Sequence, residues 1–325
     1  MPHEKPLPHT QQSLAEALSK YLKYLETAKS VSPHTSKSYA IDLGQFYRPW
    51  GILIEKTDDL RGENCKGYQV KCVESGLKGP WQDTDLLQLL EFILPLWQPL
   101  KPASRNRKVA SVRAHWKWMH QEGLFETALQ ERLQTPKVPQ RLPLFLSLDE
   151  ILSVFKSLRM DLQAETSPLE EMSLFLLLYG GGLRISEACS LKWSEVDLSM
   201  GQMRVLGKGQ KQRVTALPQA AIDWLRQQPR RGDYILGGEE VLSSRKAYEW
   251  VRQRGVKAGL LKPIHPHALR HSYATHLLSS GMDLRILQEA LGHSSLSATQ
   301  KYTHLSLQEL HRTMNAHHPL AKKIP

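Results

Sequence analysis

Arginine, histidine and glutamate side chains in the second half of the chain have spacings that suit the binding of a phosphate. Arg184 follows three glycines in GGGLRISEACSL, and Glu187 lies three residues later on the same helical face. The two residues form either a local ion pair or a unit in which the carboxylate aims the guanidinium at a phosphate. In HALRH, His267, Arg270 and His271 share one face at the start of a predicted helix, where the helix dipole favours anions.

Three further side chains extend this set toward catalysis. Lys208 lies in the turn GKGQ, His293 lies in LGH, and Tyr302 follows that histidine nine residues later. Taken alone, the lysine is typical of a solvated turn, and the tyrosine is typical of a packing residue with a hydrated hydroxyl. Taken with the two arginines and His267, they suit phosphoryl transfer without a metal, because fixed cations stabilise the charge that spreads over the phosphate oxygens.

Several other enzyme signatures are absent from the sequence. It contains no GxxxxGK[ST] phosphate loop, no HExxH, no GxSxG and no acidic metal-binding cluster. His267 and His271 have the spacing of metal ligands, but no clear third ligand accompanies them, and His276 is expected to pack. ATP hydrolysis and metal-dependent nuclease chemistry are therefore poorly supported, and we expect neither a metal nor a cofactor.

The composition indicates a protein that binds a polyanion. The chain has 325 residues, 43 Lys plus Arg against 32 Asp plus Glu, and a formal net charge of +11. Such an excess points most often to nucleic acid, and the length favours two domains. The three cysteines are isolated, no apolar run is long enough for a membrane span, and the N-terminus is polar. We therefore expect a cytoplasmic, nucleoid-associated protein with no membrane partner.

The first part of the chain is predicted to be helical and basic. Apolar residues recur at helical spacing over 13–27, after Ser32-Pro33, from 83 to about 95 and over 104–122, whereas 51–82 show no clear pattern. The last of these helices and its approach hold a run of basic residues without an acidic one, which is either a solvated face or a DNA contact. The interleaved His115, Trp116 and Trp118 are expected to pack in the core. The candidate DNA contacts here are Lys37, Arg105, Arg107, Lys108, Arg113 and Lys117.

A proline-rich segment, 134–143, separates this part from a second set of elements and is predicted to be a linker. Beyond it, Ser147 and Glu150 form a capping-box pattern at a helix start, and another helix runs from Ser167-Pro168 to the three glycines. The period then changes, and 202–217 are predicted to form a β-hairpin. Further helices are predicted over 218–228, 243–257, 266–280, 283–291 and 296–302, and in the tail segment LQELHRTM.

The segments GLRISE, GKGQKQR, HALRH, LGH and KYTH together resemble the catalytic domain of tyrosine site-specific recombinases. The likeness is strongest to the Xer branch, which resolves chromosome dimers in bacteria. SPHTSKSYAIDLGQF and SRNRKVASVRAHWKWMHQEGL resemble two helices of the family's N-terminal DNA-binding domain, and the linker with FLSLDEI resembles its domain junction. The resemblance covers nearly the whole chain except about 51–100.

This resemblance implies a mainly α fold with a small β-sheet or hairpin, arranged as a two-domain, C-shaped DNA clamp. Residues 1–133 would form a helical, SAM-like core-binding domain, and 134–143 would be the linker. Residues 144–325 would form the catalytic domain, with a tail helix that packs on a neighbouring protomer.

The resemblance also implies a role for each candidate residue. Tyr302 would attack a DNA phosphate, form a 3′-phosphotyrosyl link and release a 5′-hydroxyl. His267 would take the tyrosine proton, Arg184 and Arg270 would clamp the phosphate, and Lys208 would protonate the departing oxygen.

Supporting roles follow for the remaining candidates. His293 would hydrogen-bond the phosphate, Glu187 would orient Arg184, and His271 would contact the catalytic residues without contacting the phosphate. Lys211 and Arg213, in and beside the hairpin turn, are further candidate DNA contacts.

The implied partners are double-stranded DNA with a dif-like site and other recombinase subunits, either self or a paralogue, in a cyclic tetramer. Whether a DNA translocase of the FtsK type takes part stays open. A mobile-element integrase of the phage or integron kind has the same catalytic set, and a type IB topoisomerase shares the chemistry. Outside these enzymes, the alternatives are a catalytically silent DNA-binding regulator and a bare helical scaffold.

Overall fold

A computed structural model of the chain describes residues 11–27, 31, 33–56, 68–73, 82–124, 127–133, 144–166, 168–207, 212–292 and 307–321. The chain divides into two compact units, Met1–Gln140 and Arg141–Pro325. In the residues described, both units are mostly helical and each contains a small antiparallel sheet, which confirms the predicted mainly α class. The predicted linker, 134–143, lies outside the described residues. Within the described ranges, no helix has the length and apolar character needed to cross a bilayer.

In its described residues, the first unit contains four α-helices and a two-stranded hairpin. Its elements are α1 (Gln11–Thr27), α2 (Pro33–Tyr47), β1 (Ile52–Lys56), β2 (Tyr68–Cys72), α3 (Asp83–Trp97) and α4 (Pro102–Gln121). The four predicted helices are confirmed, but the hairpin was not predicted; its strands pair from Ile52 with Cys72 to Lys56 with Tyr68. Helix α3 also continues past Pro95, because a proline in the last turn removes a single backbone bond and Trp97 is buried beyond it.

The basic helix α4 is fastened to α2 by one buried carboxylate. Asp42 is fully buried; its oxygens lie 2.5 Å from Nη1 of Arg107 and 3.2 Å from Nζ of Lys108. The hydroxyl of Ser111 donates to the same carboxylate over 3.0 Å. The Lys108 side chain is only 8% exposed and also donates to Gln45. Part of the basic run therefore stabilises the unit from within.

Asp42→Ala is expected to lower the free energy of unfolding by about 3 kcal/mol, because it leaves the buried Lys108 ammonium without its counter-charge. Urea unfolding of the full chain, followed by circular dichroism, measures this loss. Glu91→Ala is the matched control, since Glu91 is an exposed carboxylate on α3 of the same unit. Equal unfolding midpoints for the two variants would contradict the proposed role of Asp42.

The second unit packs its helices around the apolar segment that precedes the three glycines. Leu174 to Tyr179 are all fully buried, and the Ser147–Glu150 capping box is present, with the backbone N–H of Ser147 donating to Glu150 over 2.7 Å. The predicted hairpin is confirmed, and it follows a short strand, Val196–Asp197, that was not predicted. The elements are α5 (Leu148–Gln163), α6 (Leu169–Phe175), α7 (Ile185–Cys189), β3 (Val196–Asp197), β4 (Gln202–Leu206), β5 (Gln212–Ala216), α8 (Gln219–Arg226), α9 (Ser244–Lys257), α10 (Pro266–Ser279), α11 (Leu284–Leu291) and α12 (Leu307–His317).

The tail helix α12 packs on its own chain in this structure. Met314 and Leu320 are fully buried in the core of the second unit. The ring Nε2 of His318 lies 3.1 Å from the carbonyl oxygen of Tyr179, and Asn315 accepts from a backbone N–H of α8 over 2.9 Å. The resemblance implies a tail that packs on a neighbouring protomer; in this single chain Met314 and Leu320 find a buried position within their own unit, and packing on a neighbour stays a prediction. The predicted helix 296–302 lies outside the described residues.

Candidate active site

The three glycines bring Arg184 to the start of α7 through a tightly packed turn. Gly182 has φ +63°, a left-handed conformation that side chains disfavour, and a Cβ there would lie 2.5 Å from Cε1 of Tyr273. A Cβ on Gly181 would lie 2.6 Å from Cε of Met203. The backbone can therefore pass between α10 and β4 only if both positions lack a side chain, and this turn leads directly to Arg184 at the start of α7.

Glu187 is the centre of a cluster of arginines. Its side chain is only 4% exposed, and its Oε1 accepts from Nη1 of Arg184 over 2.8 Å. Arg213, on β5, donates Nη1 to Oε1 and Nη2 to Oε2, both over 2.8 Å. Nη1 of Arg270 lies 3.7 Å from Oε2. One carboxylate thus gathers three guanidinium groups that are far apart in the sequence, two of which had been predicted to clamp a phosphate.

Arg270 extends from α10 across the interior of the unit. It is buried, and its two terminal nitrogens donate to backbone carbonyls on different elements: Nη1 to Gly182, and Nη2 to Leu291 over 2.6 Å. These bonds join the glycine turn to the C-terminal end of α11. The guanidinium is therefore held in one orientation by the backbone, as a group that binds a phosphate in a fixed geometry must be.

The cluster keeps an excess of positive charge. Burial alone would raise the pKa of Glu187, but the hydrogen bonds and charges of Arg213 and Arg184 lower it to about 2. Burial, followed by the charge of Arg184, lowers the pKa of Arg270 to about 10. Glu187 and Arg270 are therefore both charged at pH 7, and the carboxylate of Glu187 faces three guanidinium groups. A site of this kind favours a bound anion.

The predicted histidines lie along α10. His265 caps the helix, and its Nδ1 accepts from the backbone N–H of Ala268 over 3.0 Å; burial, then the neighbouring His267, lowers the pKa of His265. His267 is exposed in the first turn. His271 is half-buried, and its ring centroid lies 6.4 Å from that of Phe145. His276 packs against Tyr179, as predicted, with its Nδ1 2.8 Å from the phenol oxygen.

Four predicted residues, Lys208, Lys211, His293 and Tyr302, lie outside the described residues. The neighbouring segments are described: β4 ends at Leu206, and α11 ends at Leu291. The roles of these four residues therefore stay predictions.

The candidate DNA contacts occupy different environments. Lys37 and Lys117 are exposed, and Arg105 and Arg113 are half-buried. Arg107 is exposed but pairs with Asp42, and Lys108 is buried against the same carboxylate. His115, Trp116 and Trp118 lie in the core, as predicted.

The position of Arg213 beside Glu187 was missed by sequence reasoning. It shares a strand face with Thr215, which is fully buried, so the period-2 alternation of β5 could have indicated that its side chain points inward. Its side chain is only 9% exposed.

Three comparisons with known proteins bear on this arrangement. Residues 145–309 match the model of the phage integrase family. The chain is 32% identical over 317 residues to the tyrosine recombinase XerC of Xanthomonas axonopodis pv. citri, covering 94% of this chain and 98% of that relative. The fold is similar to that of XerH recombinase bound to a palindromic difH substrate after cleavage (TM-score 0.64, 19% identity, 94% of this chain and 96% of that one). It is also similar to that of a lambda integrase tetramer bound to a Holliday junction (TM-score 0.62, 20% identity, 88% of this chain and 78% of that one).

Proposed function

The chain belongs to the phage integrase family and is a tyrosine recombinase, an enzyme that transfers DNA strands, and from this premise we propose how its residues act and which DNA it recombines. The observation that carries the proposal is the convergence of Arg184 and Arg270 on one buried carboxylate. These two guanidinium groups would bind the non-bridging oxygens of the scissile phosphate and stabilise the charge that builds up on them during transfer.

Tyr302 would be the nucleophile and His267 the base. A tyrosine with the ordinary pKa of about 10 is almost fully protonated at pH 7, and deprotonating it would cost about 4 kcal/mol, so a base must accept the proton as the bond to phosphorus forms. His267 lies exposed at the N-terminal end of α10, one helical turn before Arg270, which supports its placement beside the same phosphate.

Lys208 would donate the proton that the departing 5′ oxygen needs. The attack breaks the bond between phosphorus and that oxygen and leaves the phosphate joined to the tyrosine. Rejoining reverses these steps, with a 5′-hydroxyl of a partner strand as the attacking group. Because the phosphotyrosyl link conserves the bond energy, the cycle needs no nucleotide hydrolysis.

Both units would bind the DNA duplex. Exposed Lys37 and Lys117 on the first unit support its part in this binding, together with the half-buried arginines Arg105 and Arg113. Phosphate contacts of this kind make affinity fall steeply with salt. Four subunits, identical or paralogous, would act on two duplexes, in keeping with the lambda integrase tetramer on a Holliday junction.

The DNA target would be a dif-like site, and the cellular task would be the resolution of chromosome dimers. The identity to XerC over nearly the full length of both chains favours this role over integration of a mobile element. The proposed role includes a DNA translocase of the FtsK type as a further partner.

Covalent capture on DNA tests this assignment. A duplex carrying the dif-like palindrome near the replication terminus of the source genome is nicked beside the predicted cleavage point, so that the cut fragment diffuses away and rejoining is blocked. We expect a protein–DNA adduct that survives detergent on this duplex and none on a scrambled duplex. An adduct that forms only on the ends of a mobile element would instead identify an integrase, and binding without an adduct on either DNA would identify a silent regulator.

A further inference from the structure

We propose that Arg213 is a positioning residue for strand transfer: it holds Glu187 and the C-terminal end of α11 in place and does not contact DNA. The inference rests on the proposed function, because it concerns how the phosphate-binding arginines of that reaction are oriented. It replaces the sequence prediction that Arg213 is itself a DNA contact.

All three nitrogens of the Arg213 guanidinium bind protein groups. Its two terminal nitrogens bind the two oxygens of Glu187 side by side, each over 2.8 Å, and its Nε donates to the carbonyl of Ala290 over 3.0 Å. The Arg213 and Glu187 side chains are 9% and 4% exposed. Little of this guanidinium is accessible to a DNA phosphate, so the geometry assigns it to the protein interior.

The two parallel bonds between Arg213 and Glu187, called the fork below, determine how much of the Arg184 guanidinium is available to bind a phosphate. Arg213 binds both oxygens of Glu187, whereas the structure shows Arg184 donating only Nη1 from its side chain to that carboxylate. The Arg184 side chain is 35% exposed, so the rest of its guanidinium can face a ligand. If Arg213 were lost, Glu187 would be free to bind Arg184 through both oxygens and would turn it away from the phosphate.

The bond to Ala290 connects the cluster to the segment that carries the remaining catalytic candidates. Ala290 lies near the end of α11, three residues before His293, and Gly292 follows with φ +70°. A Cβ on Gly292 would lie 2.7 Å from Cδ of Arg213, so this glycine is needed both for its left-handed backbone and for the close approach of the arginine. Arg213 and the nearby Arg270 together bind the last two carbonyls of the helix.

Arg213 also connects the arginine cluster to the β4–β5 hairpin. Arg213 lies on β5 opposite Val205 of β4, and five residues after Lys208. One side chain thus joins the hairpin that carries the proposed acid to the carboxylate that orients Arg184 and to the helix end that precedes His293. Lysine cannot reproduce this, since it has a single nitrogen in place of a planar set of donors pointing in two directions.

The test compares Arg213→Lys and Arg213→Gln with the wild type on the nicked dif-like duplex. Displacements of about 1 Å in a catalytic group reduce rates by about 100-fold, and we expect both variants to lose about that factor in the cleavage rate constant at saturating protein. We expect the DNA dissociation constant and its dependence on salt to stay at the wild-type values. Arg204→Gln is the matched control, because it removes one positive charge from an exposed position on the neighbouring strand.

If Arg213 contacted a DNA phosphate, both variants would bind DNA more weakly, and the slope of log affinity against log salt concentration would become shallower by about one. That result, a full rescue by lysine, or a wild-type cleavage rate in both variants would each overturn the positioning role. Wild-type DNA binding also shows that the variants are folded. If the wild-type protein itself forms no adduct, it is the proposed function that has failed, and the two failures are therefore distinct.

A double-mutant cycle identifies the route by which Arg213 acts. Glu187→Gln removes the carboxylate that Arg213 binds. Adding Arg213→Gln to this variant should therefore lower the cleavage rate by much less than Arg213→Gln lowers it in the wild type. Effects that multiply in full would mean that the two residues act independently and would contradict the proposal.

Discussion

Tyr302→Phe is expected to leave DNA binding unchanged and to eliminate the covalent protein–DNA adduct. The substitution removes one hydroxyl group, and the proposed reaction has no other oxygen that can accept the phosphate. A lost nucleophile lowers turnover by at least about 10⁴-fold, which puts adduct formation on the nicked duplex below detection. Gel-shift affinity and detergent-resistant adduct are measured on the same samples, so that the loss of chemistry is separated from any loss of binding.

The matched control for this experiment is Tyr248→Phe. Tyr248 is an exposed tyrosine on α9, and its substitution removes the same hydroxyl from a different part of the same unit. We expect this control to form adduct at the wild-type rate. A detergent-resistant adduct from Tyr302→Phe would show that another residue is the nucleophile.

Local patterns in the sequence predicted the helices well. The capping box of Ser147 and Glu150 and the stop at the three glycines depend on neighbours within a few residues, so they can be recognised from the sequence alone. The β1–β2 hairpin was missed because its pairing is not local. Residues 57–67 separate its strands, and β1 reads as an apolar stretch followed by charges, without regular alternation.

The same distinction applies to the candidate site. The pair of Arg184 and Glu187 was predicted because i,i+3 spacing places both on one helical turn. The fork from Arg213 to Glu187 spans 26 residues and two elements, and no local rule indicates it. The basic run was ambiguous for a similar reason: the carboxylate that pairs with Arg107 lies 65 residues earlier, on α2.

Arg270→Lys is expected to lower the cleavage rate by about 10²–10³-fold, with a loss that grows as the pH rises. The arginine donates to carbonyls on two different elements, Gly182 and Leu291, and a single ammonium cannot reach both while it also binds a phosphate. Cleavage rate constants on the nicked duplex between pH 6 and pH 9, divided by the wild-type values, measure this loss. We expect the DNA dissociation constant to change only a few-fold, since many other phosphate contacts remain.

The pH dependence follows from the environment of Arg270. Burial, followed by the charge of Arg184, lowers the pKa of this arginine from its ordinary value to about 10. The same surroundings would lower the pKa of a lysine at this position well below its ordinary value. The lysine would lose its proton as the pH rises through that lowered pKa, so the variant's rate relative to wild type should fall between pH 7 and pH 9. Arg252→Lys, at an exposed position on α9, should follow the wild type throughout. If the variant's cleavage rate relative to wild type stayed constant between pH 6 and pH 9, the lysine would keep its proton and only its geometry would account for the loss. If that relative rate were near one, Arg270 would not bind the phosphate.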